Sequence, residues 1–250
     1  MTTKFVKQGT MYMPTDNSSL DVRDQLPPGN YIIKQLPTGQ LVFDSTESFV
    51  MPPKLYGDCI KNADRIYNTF TKRPNSTGAM LNGEKGSGKT LLAKYLSIMG
   101  AKEGVPTILI NSPWTGEAFM QLVQSVNQPC IVIFDEFEKV YDADDQEDIL
   151  TMLDGVFPSK KLFIFTCNDK WKVNQHMRNR PGRIFYYIEY SGLDTKFIRE
   201  YCEDNLTNKG NIDSVVVLSH MFDHFNFDML ASIVEEMNRY DETALQSISI

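Results

Sequence analysis

Between residues 78 and 190 the chain alternates short apolar runs with amphipathic stretches. The runs are GAMLNG (78–83), TILIN (107–111), CIVIFD (130–135), KLFIFTCN (161–168) and RIFYYIEY (183–190). Apolar runs without polar alternation are the pattern of strands covered on both faces, so they predict an open, mostly parallel, five-stranded sheet flanked by helices. Ile60, Ala63, Ile66, Tyr67 and Phe70 recur at helical spacing and predict a helix over 57–71. Upstream, NYIIKQ and QLVFD surround a Leu-Pro-Thr-Gly turn and predict a hairpin over 30–44. From 191 onward, DTKFIREYCEDNL and FDMLASIVEEMNRY predict helices. With Pro52 and Pro53 as a boundary, the pattern divides the chain into an N-terminal extension (1–51), an α/β domain (52–190) and a helical lid (191–250). Neither an internal repeat nor a low-complexity segment is seen.

Composition narrows the class. The chain has 250 residues, 42% of them hydrophobic and 23% charged, which suits a globular protein with a sizeable core. No apolar run approaches the roughly 20 residues of a membrane span, and the first residues lack the apolar stretch of a secretory signal. Cys59, Cys130, Cys167 and Cys202 lie far apart and form no C-x-x-C, so reduced thiols in the cytoplasm are expected. A formal net charge of -7 weighs against an extended nucleic-acid-binding face.

The chemistry begins at Gly83. GEKGSGKT, from Gly83 through Glu84, Lys85, Gly86, Ser87, Gly88 and Lys89 to Thr90, fits G-x-x-x-x-G-K-[ST], follows a strand-like run and opens the amphipathic helix TLLAKYLSIMG, whose Leu91 joins the candidate binding residues. Such a loop converges backbone N–H groups on phosphate oxygens, and the following helix aims its positive end at the same anion. Lys89 would contact the β- and γ-phosphates, and Thr90 would ligate Mg²⁺. Asp135 and Glu136 close the run CIVIFD at the edge where open parallel sheets bind ligands. Asp135 is expected to hold Mg²⁺, and Glu136 to polarise the attacking water as a general base. Asn168 ends another run at the same edge, where its amide could orient that water; Asn also favours turns after strands.

MRNRPGR (177–183) crowds Arg178, Arg180 and Arg183 around a Pro-Gly pair. GEKGSGKT, IVIFDE, LTMLDG, FTCN and NRPGR stand in the order and spacing of the AAA ATPases, which the chain resembles over about residues 52–240. The stretch from Asn168 to Arg183 is similar to the second region of homology that marks one clade of that family. The resemblance implies an AAA P-loop NTPase core, ATP and Mg²⁺ as ligands, and a homo-oligomeric ring, usually a hexamer. It further implies that Arg180 and Arg183 reach across a subunit boundary to a neighbour's γ-phosphate, which suits the bidentate donors of guanidinium groups. Arg178 has no counterpart in the family pattern. A surface patch against the acidic segment 142–148 is the other reading of the cluster.

The resemblance extends to weaker matches. KLYGD (54–58) is similar to the lead-in that contacts adenine, pointing to Tyr56 and Gly57. Trp114, Thr115 and Gly116 resemble a pore loop; Trp114 could grip an extended chain, stack on a base, or pack against the sheet edge. The chain departs from the family at Cys167, where Thr is frequent, and at FNFDML (225–230), where a Gly-Ala-Asp helix start is frequent. The implied function is a ring ATPase that remodels or translocates a macromolecule, protein rather than nucleic acid, with no membrane partner. A helicase-loader-like or clamp-loader-like protein and a nucleotide-gated scaffold are the alternatives.

Overall fold

A computed structural model describes residues 4–8, 11–15, 23–153, 157, 159–178 and 184–247. β1 (Lys4–Gln8) and β2 (Met11–Thr15) pair antiparallel in a small sheet of their own. The main sheet has seven strands. β3 (Asn30–Gln35) and β4 (Leu41–Thr46) are the expected hairpin, closed by Leu36 N donating to Gln40 O at 2.8 Å. β5 (Thr77–Gly83), β6 (Thr107–Ile110), β7 (Cys130–Phe134), β8 (Lys161–Cys167) and β9 (Tyr186–Tyr190) are the five expected runs. Their order is β4-β3-β6-β7-β8-β5-β9, parallel throughout except for β4.

The expected count of five strands is therefore corrected to seven. β6 would otherwise present an unpaired edge of N–H and C=O groups. β3 takes that edge in parallel, Asn30 opposite Thr107, and Thr107 N donates to Gly29 O at 2.8 Å. A buried polar cluster fastens the joint: Ser97 Oγ contacts Asn30 Oδ1 and Thr107 Oγ1, each at 2.8 Å. Gln128 clamps the backbone of Leu26 through both ends of its amide, at 2.8 and 2.9 Å.

Every residue of β5, β7 and β8 is buried, because helices cover both faces. On one face, α1 (Cys59–Lys72) and α2 (Lys89–Lys102) press Ile66, Phe70, Leu92 and Leu96 onto Leu81, Ile131, Ile133 and Ile164. On the other, α3 (Gly116–Gln124), the short α4 (Phe137–Val140) and α5 (Ala143–Leu153) bring Phe119, Phe137 and Ile149 onto Val132, Phe134 and Phe165. A turn at Lys170–Lys172 leads to α6 (Gln175–Arg178).

The C-terminal helices α7 (Thr195–Asn205), α8 (Ile212–Ser219), α9 (Phe227–Tyr240) and α10 (Ala244–Ser247) have a separate core around Ile198, Cys202, Leu218, Leu230 and Val234. Asp194 and Asn226 cap α7 and α9 by accepting from Phe197 N and Met229 N. Among the described residues, no helix is long and apolar enough to cross a membrane.

Candidate functional site

Parallel register brings the C-terminal ends of β5, β7 and β8 to one edge, with Asn82 opposite Cys167 and Phe134 opposite Phe165. The loop after β5 opens α2. Gly83, at φ +149°, lies so close to β9 that a Cβ there would stand 2.5 Å from Tyr190 O. Gly86, at φ +78°, is crowded from the lid, its Cβ position lying 2.6 Å from Asp228 Oδ2. Both positions exclude a side chain, through conformation and through space.

Lys89 is buried, and its ammonium donates to Gly83 O at 2.5 Å, Glu84 O at 2.7 Å and Ser87 Oγ at 3.3 Å. Burial pushes its pKa down, and Cys167, Glu138, Asp135 and Glu136 oppose that shift. The lysine thus occupies the loop's own carbonyls, groups that an anion with stronger attraction would displace.

Thr166 knots the strand ends together. Its hydroxyl donates to Asp135 Oδ1 at 2.6 Å and accepts from Glu136 N at 2.8 Å. Thr90 Oγ1 reaches the same Asp135 oxygen at 3.3 Å. Thr90 and Asp135 thus offer two hard oxygen donors beside the phosphate loop. That fits Mg²⁺, which takes one or two protein oxygens and completes its shell with water and substrate phosphates. Among the described residues, no cluster of three or more His, Cys, Asp or Glu forms a self-sufficient metal cage.

Glu136 adopts a left-handed backbone, φ +49° and ψ +46°, an uncommon conformation for a residue with a side chain. Lys139 Nζ pairs with its Oε1 at 2.6 Å and holds its carboxyl below the usual range, so it is ionised at neutral pH. Asn168 Nδ2 lies 3.4 Å from the same oxygen. Glu138 Oε1 accepts from Asn168 N at 3.0 Å and from Asn168 Nδ2 at 3.2 Å.

The lid meets this edge at the loop and at the lead-in. Phe227 N donates to Gly86 O at 3.1 Å, and His224 Nε2 lies 3.9 Å from Glu84 Oε1. Tyr56 packs edge-on against Tyr201 at 5.2 Å and tilted against Phe197 at 5.8 Å, and its hydroxyl contacts Asp204 Oδ2 at 3.0 Å. Gly57, at φ +66°, is adjacent to the Phe197 ring, 2.7 Å from its Cβ position.

The structure thus gathers Gly83, Gly86, Lys89, Thr90, Asp135, Glu136 and Asn168 at one edge, with Tyr56 and Gly57 at the junction with the lid. Glu84, Lys85 and Thr90 are exposed on the loop, Ser87, Gly88 and Leu91 half-buried. Trp114 packs against the core; its carbonyl accepts from Tyr141 Oη at 3.1 Å, and its buried indole N–H has no partner among the described residues. Thr115 and Gly116 start α3 beside it. Arg180 and Arg183 lie outside the described residues. Thr166, Glu138 and Lys139 escaped the sequence reading. Thr166 had a signal, as a hydroxyl inside an otherwise apolar run; Glu138 had one in its spacing from Glu136.

Comparison with known proteins places this edge in context. Residues 79–190 match the model of the ATPase family associated with various cellular activities (AAA). The chain is similar to the ATP-dependent zinc metalloprotease FtsH 3 of Synechocystis, at 31% identity over 50% of this chain and 23% of that one. It is also similar to an AAA ATPase forming ring-shaped complexes from Corynebacterium jeikeium, at 28% identity over 52% of this chain and 30% of that one. The chain spans between 10% and 30% of the length of the curated relatives it matches. Among solved structures, the FIGL-1 AAA domain in complex with ADP shares the fold, with a TM-score of 0.55, 16% identity and coverage of 82% of this chain and 77% of that one.

Proposed function

We propose that this protein, whose residues 79–190 match the AAA ATPase family, hydrolyses Mg-ATP as a homo-oligomeric ring, a hexamer by the family's habit, and uses the cycle to remodel or translocate a macromolecular partner. The observation that carries this reading is the meeting of Lys89, the Thr90–Asp135 pair, Glu136 and Asn168 at one sheet edge.

Each group has work suited to its surroundings. The loop N–H groups and the start of α2 receive the phosphates, and Lys89 exchanges backbone carbonyls for phosphate oxygens. Thr90 and Asp135 would hold Mg²⁺, which neutralises charge developing on the phosphoryl oxygens. Glu136, kept ionised by Lys139, accepts a proton from the attacking water, and Asn168 orients that water. Arg180 and Arg183 complete the neighbour's site, a contribution that reaches about 10³–10⁵ in rate for such fingers. The bond from Phe227 N to Gly86 O ties the lid to the phosphate loop, so that filling the loop moves the lid.

The ring is supported by the relative whose name states ring-shaped complexes. A protein partner is supported by the similarity to a metalloprotease and by the net charge of -7, which disfavours nucleic acid. Four free cysteines agree with a cytoplasmic setting. The test is ATP turnover against protein concentration, with Arg180→Ala and Arg183→Ala variants. Turnover per subunit is expected to rise with assembly and to fall at least about 10³-fold in either variant, and Arg180→Ala should be rescued by mixing with Glu136→Gln subunits. Undiminished turnover by a dilute monomer, or by both arginine variants, defeats the ring reading. Steeply salt-dependent stimulation by DNA would instead favour a nucleic-acid partner.

A further inference from the structure

Glu138 stands two residues beyond the proposed general base, in the short helix α4, which is anchored at its first residue. Phe137 is buried among Phe134, Phe165 and Tyr141, with ring centroids 6.0, 5.0 and 5.1 Å away. Glu136, just before this anchor, has the left-handed backbone. Residues 136 and 138 thereby both turn a carboxylate toward one side-chain amide: Glu136 Oε1 at 3.4 Å and Glu138 Oε1 at 3.2 Å from Asn168 Nδ2. Strained backbone of this kind persists where surrounding packing over-determines it, and it concentrates at functional sites.

Two carboxylate oxygens around Nδ2 decide which way the amide faces. An –NH₂ group offers two donors, and an ionised carboxylate only accepts. The flipped amide would set Oδ1 against two anionic oxygens and forfeit both bonds. The same Glu138 oxygen also accepts from Asn168 N at 3.0 Å, so backbone and side chain are held together. Glu138 Oε2 is buried and has no hydrogen-bond partner among the described residues. A carboxylate placed for packing alone would not carry that cost.

We propose that Glu138 is a positioning residue that locks the Asn168 amide with its oxygen outward, so that Asn168 accepts one hydrogen of the attacking water while Glu136 accepts the other. This rests on the reading of Asn168 given above. In this role Glu138 acts through Asn168 and not on the reacting atoms.

The test uses the full-length protein with Glu138→Ala, Glu138→Gln, Asn168→Ala and the Glu138→Ala/Asn168→Ala double variant, reading kcat, KM for ATP and affinity for a fluorescent ADP. Glu138→Ala is expected to lower kcat about 10- to 100-fold, the scale of a misplaced orienting group, with KM and ADP affinity within about two-fold of wild type. Glu138→Gln keeps an acceptor and should recover most of the loss. The double variant should be no slower than Asn168→Ala, since both substitutions remove one function. If Glu138→Ala does not fold, a Glu138→Met/Asn168→Ala cycle, which keeps the side-chain length without the acceptor, serves in its place and must show the same non-additivity. Wild-type kcat in Glu138→Ala, multiplicative losses in the double variant, or a parallel loss of ADP affinity would each overturn the proposal. Wild-type kcat in Asn168→Ala would instead remove the reading of Asn168 on which it stands.

Discussion

The sheet edge and the lid face it across one loop, and they are held together by different kinds of force. At the edge, Thr166 is 1% exposed and bonds both Asp135 and Glu136, Lys89 is 6% exposed with three acceptors, and the strand ends are locked in register. The Thr166 bonds and the strand pairing are shielded from water and break only with the fold. The lid has a core of its own and, among the described residues, meets the edge through a backbone bond at Gly86, the approach of His224 to Glu84, the rings around Tyr56, and exposed pairs of Lys54 with Asp204 at 2.6 Å and Glu200 at 3.2 Å. Contacts of that sort open locally at small cost. The groups proposed to react therefore sit on the rigid side, and the loosely tied side is the one free to move. Under the proposed function, that division would let nucleotide move the lid without disturbing the geometry of hydrolysis.

Three changes break or sharpen this contrast. The largest effect belongs to the edge. Glu136→Gln should lower kcat by about 10²–10⁴ while leaving nucleotide affinity nearly intact, since the phosphate loop is untouched. Phosphate release together with fluorescent ADP titration checks it, and a kcat within two-fold of wild type would dismiss Glu136 as the base. Next is the contact between the two regions. Gly86→Ala forces a side chain into φ +78° and against Asp228, a strain of about 1–3 kcal/mol. The prediction is an ATP KM raised about ten-fold or more with kcat at saturation little changed, and faster amide exchange in the first turn of α9. An equal fall in kcat would mean that lid and chemistry are not separable.

The smallest effect lies in the exposed pairs. Lys54 above all, then the Tyr56 hydroxyl, holds Asp204 below the usual carboxylate range. A depressed folded-state pKa contributes stability above the unfolded value and loses it as pH falls through the folded one. Asp204→Asn should thus lower the thermal midpoint by no more than about 2 °C at neutral pH. The difference should begin to close near the ordinary carboxylate range, about pH 4, and vanish once the pH has fallen through the lower folded-state value. Thermal scans across that range decide it: a midpoint loss that persists in acid would mean that charge is not what Asp204 contributes.

How much of this could be read along the chain depends on the range of the interaction. The phosphate loop was legible because glycine spacing, a lysine and the start of a helix all act within eight residues, Gly83 to Thr90. Asp135 and Glu136 were legible because a fully apolar run has to end where its sheet meets ligand. The hairpin at 30–46 was legible as a hairpin, but its place in the main sheet was not. Nothing local announces that Asn30 pairs with Thr107, and the pairing arises because β6 has a free edge and Ser97 and Gln128 supply the side-chain bonds.

Local pattern by itself therefore determined the elements, the phosphate cradle and the acids that follow β7, because backbone conformation and strand burial leave a periodic trace in residue type. Tertiary structure alone decided that Thr166 bridges Asp135 and Glu136, that two carboxylates flank the Asn168 amide, that Trp114 packs against the core, and that Asp228 closes on Gly86. Those contacts join residues far apart in the chain. Their energies depend on distance and orientation in space, and neither quantity is written in the order of the residues.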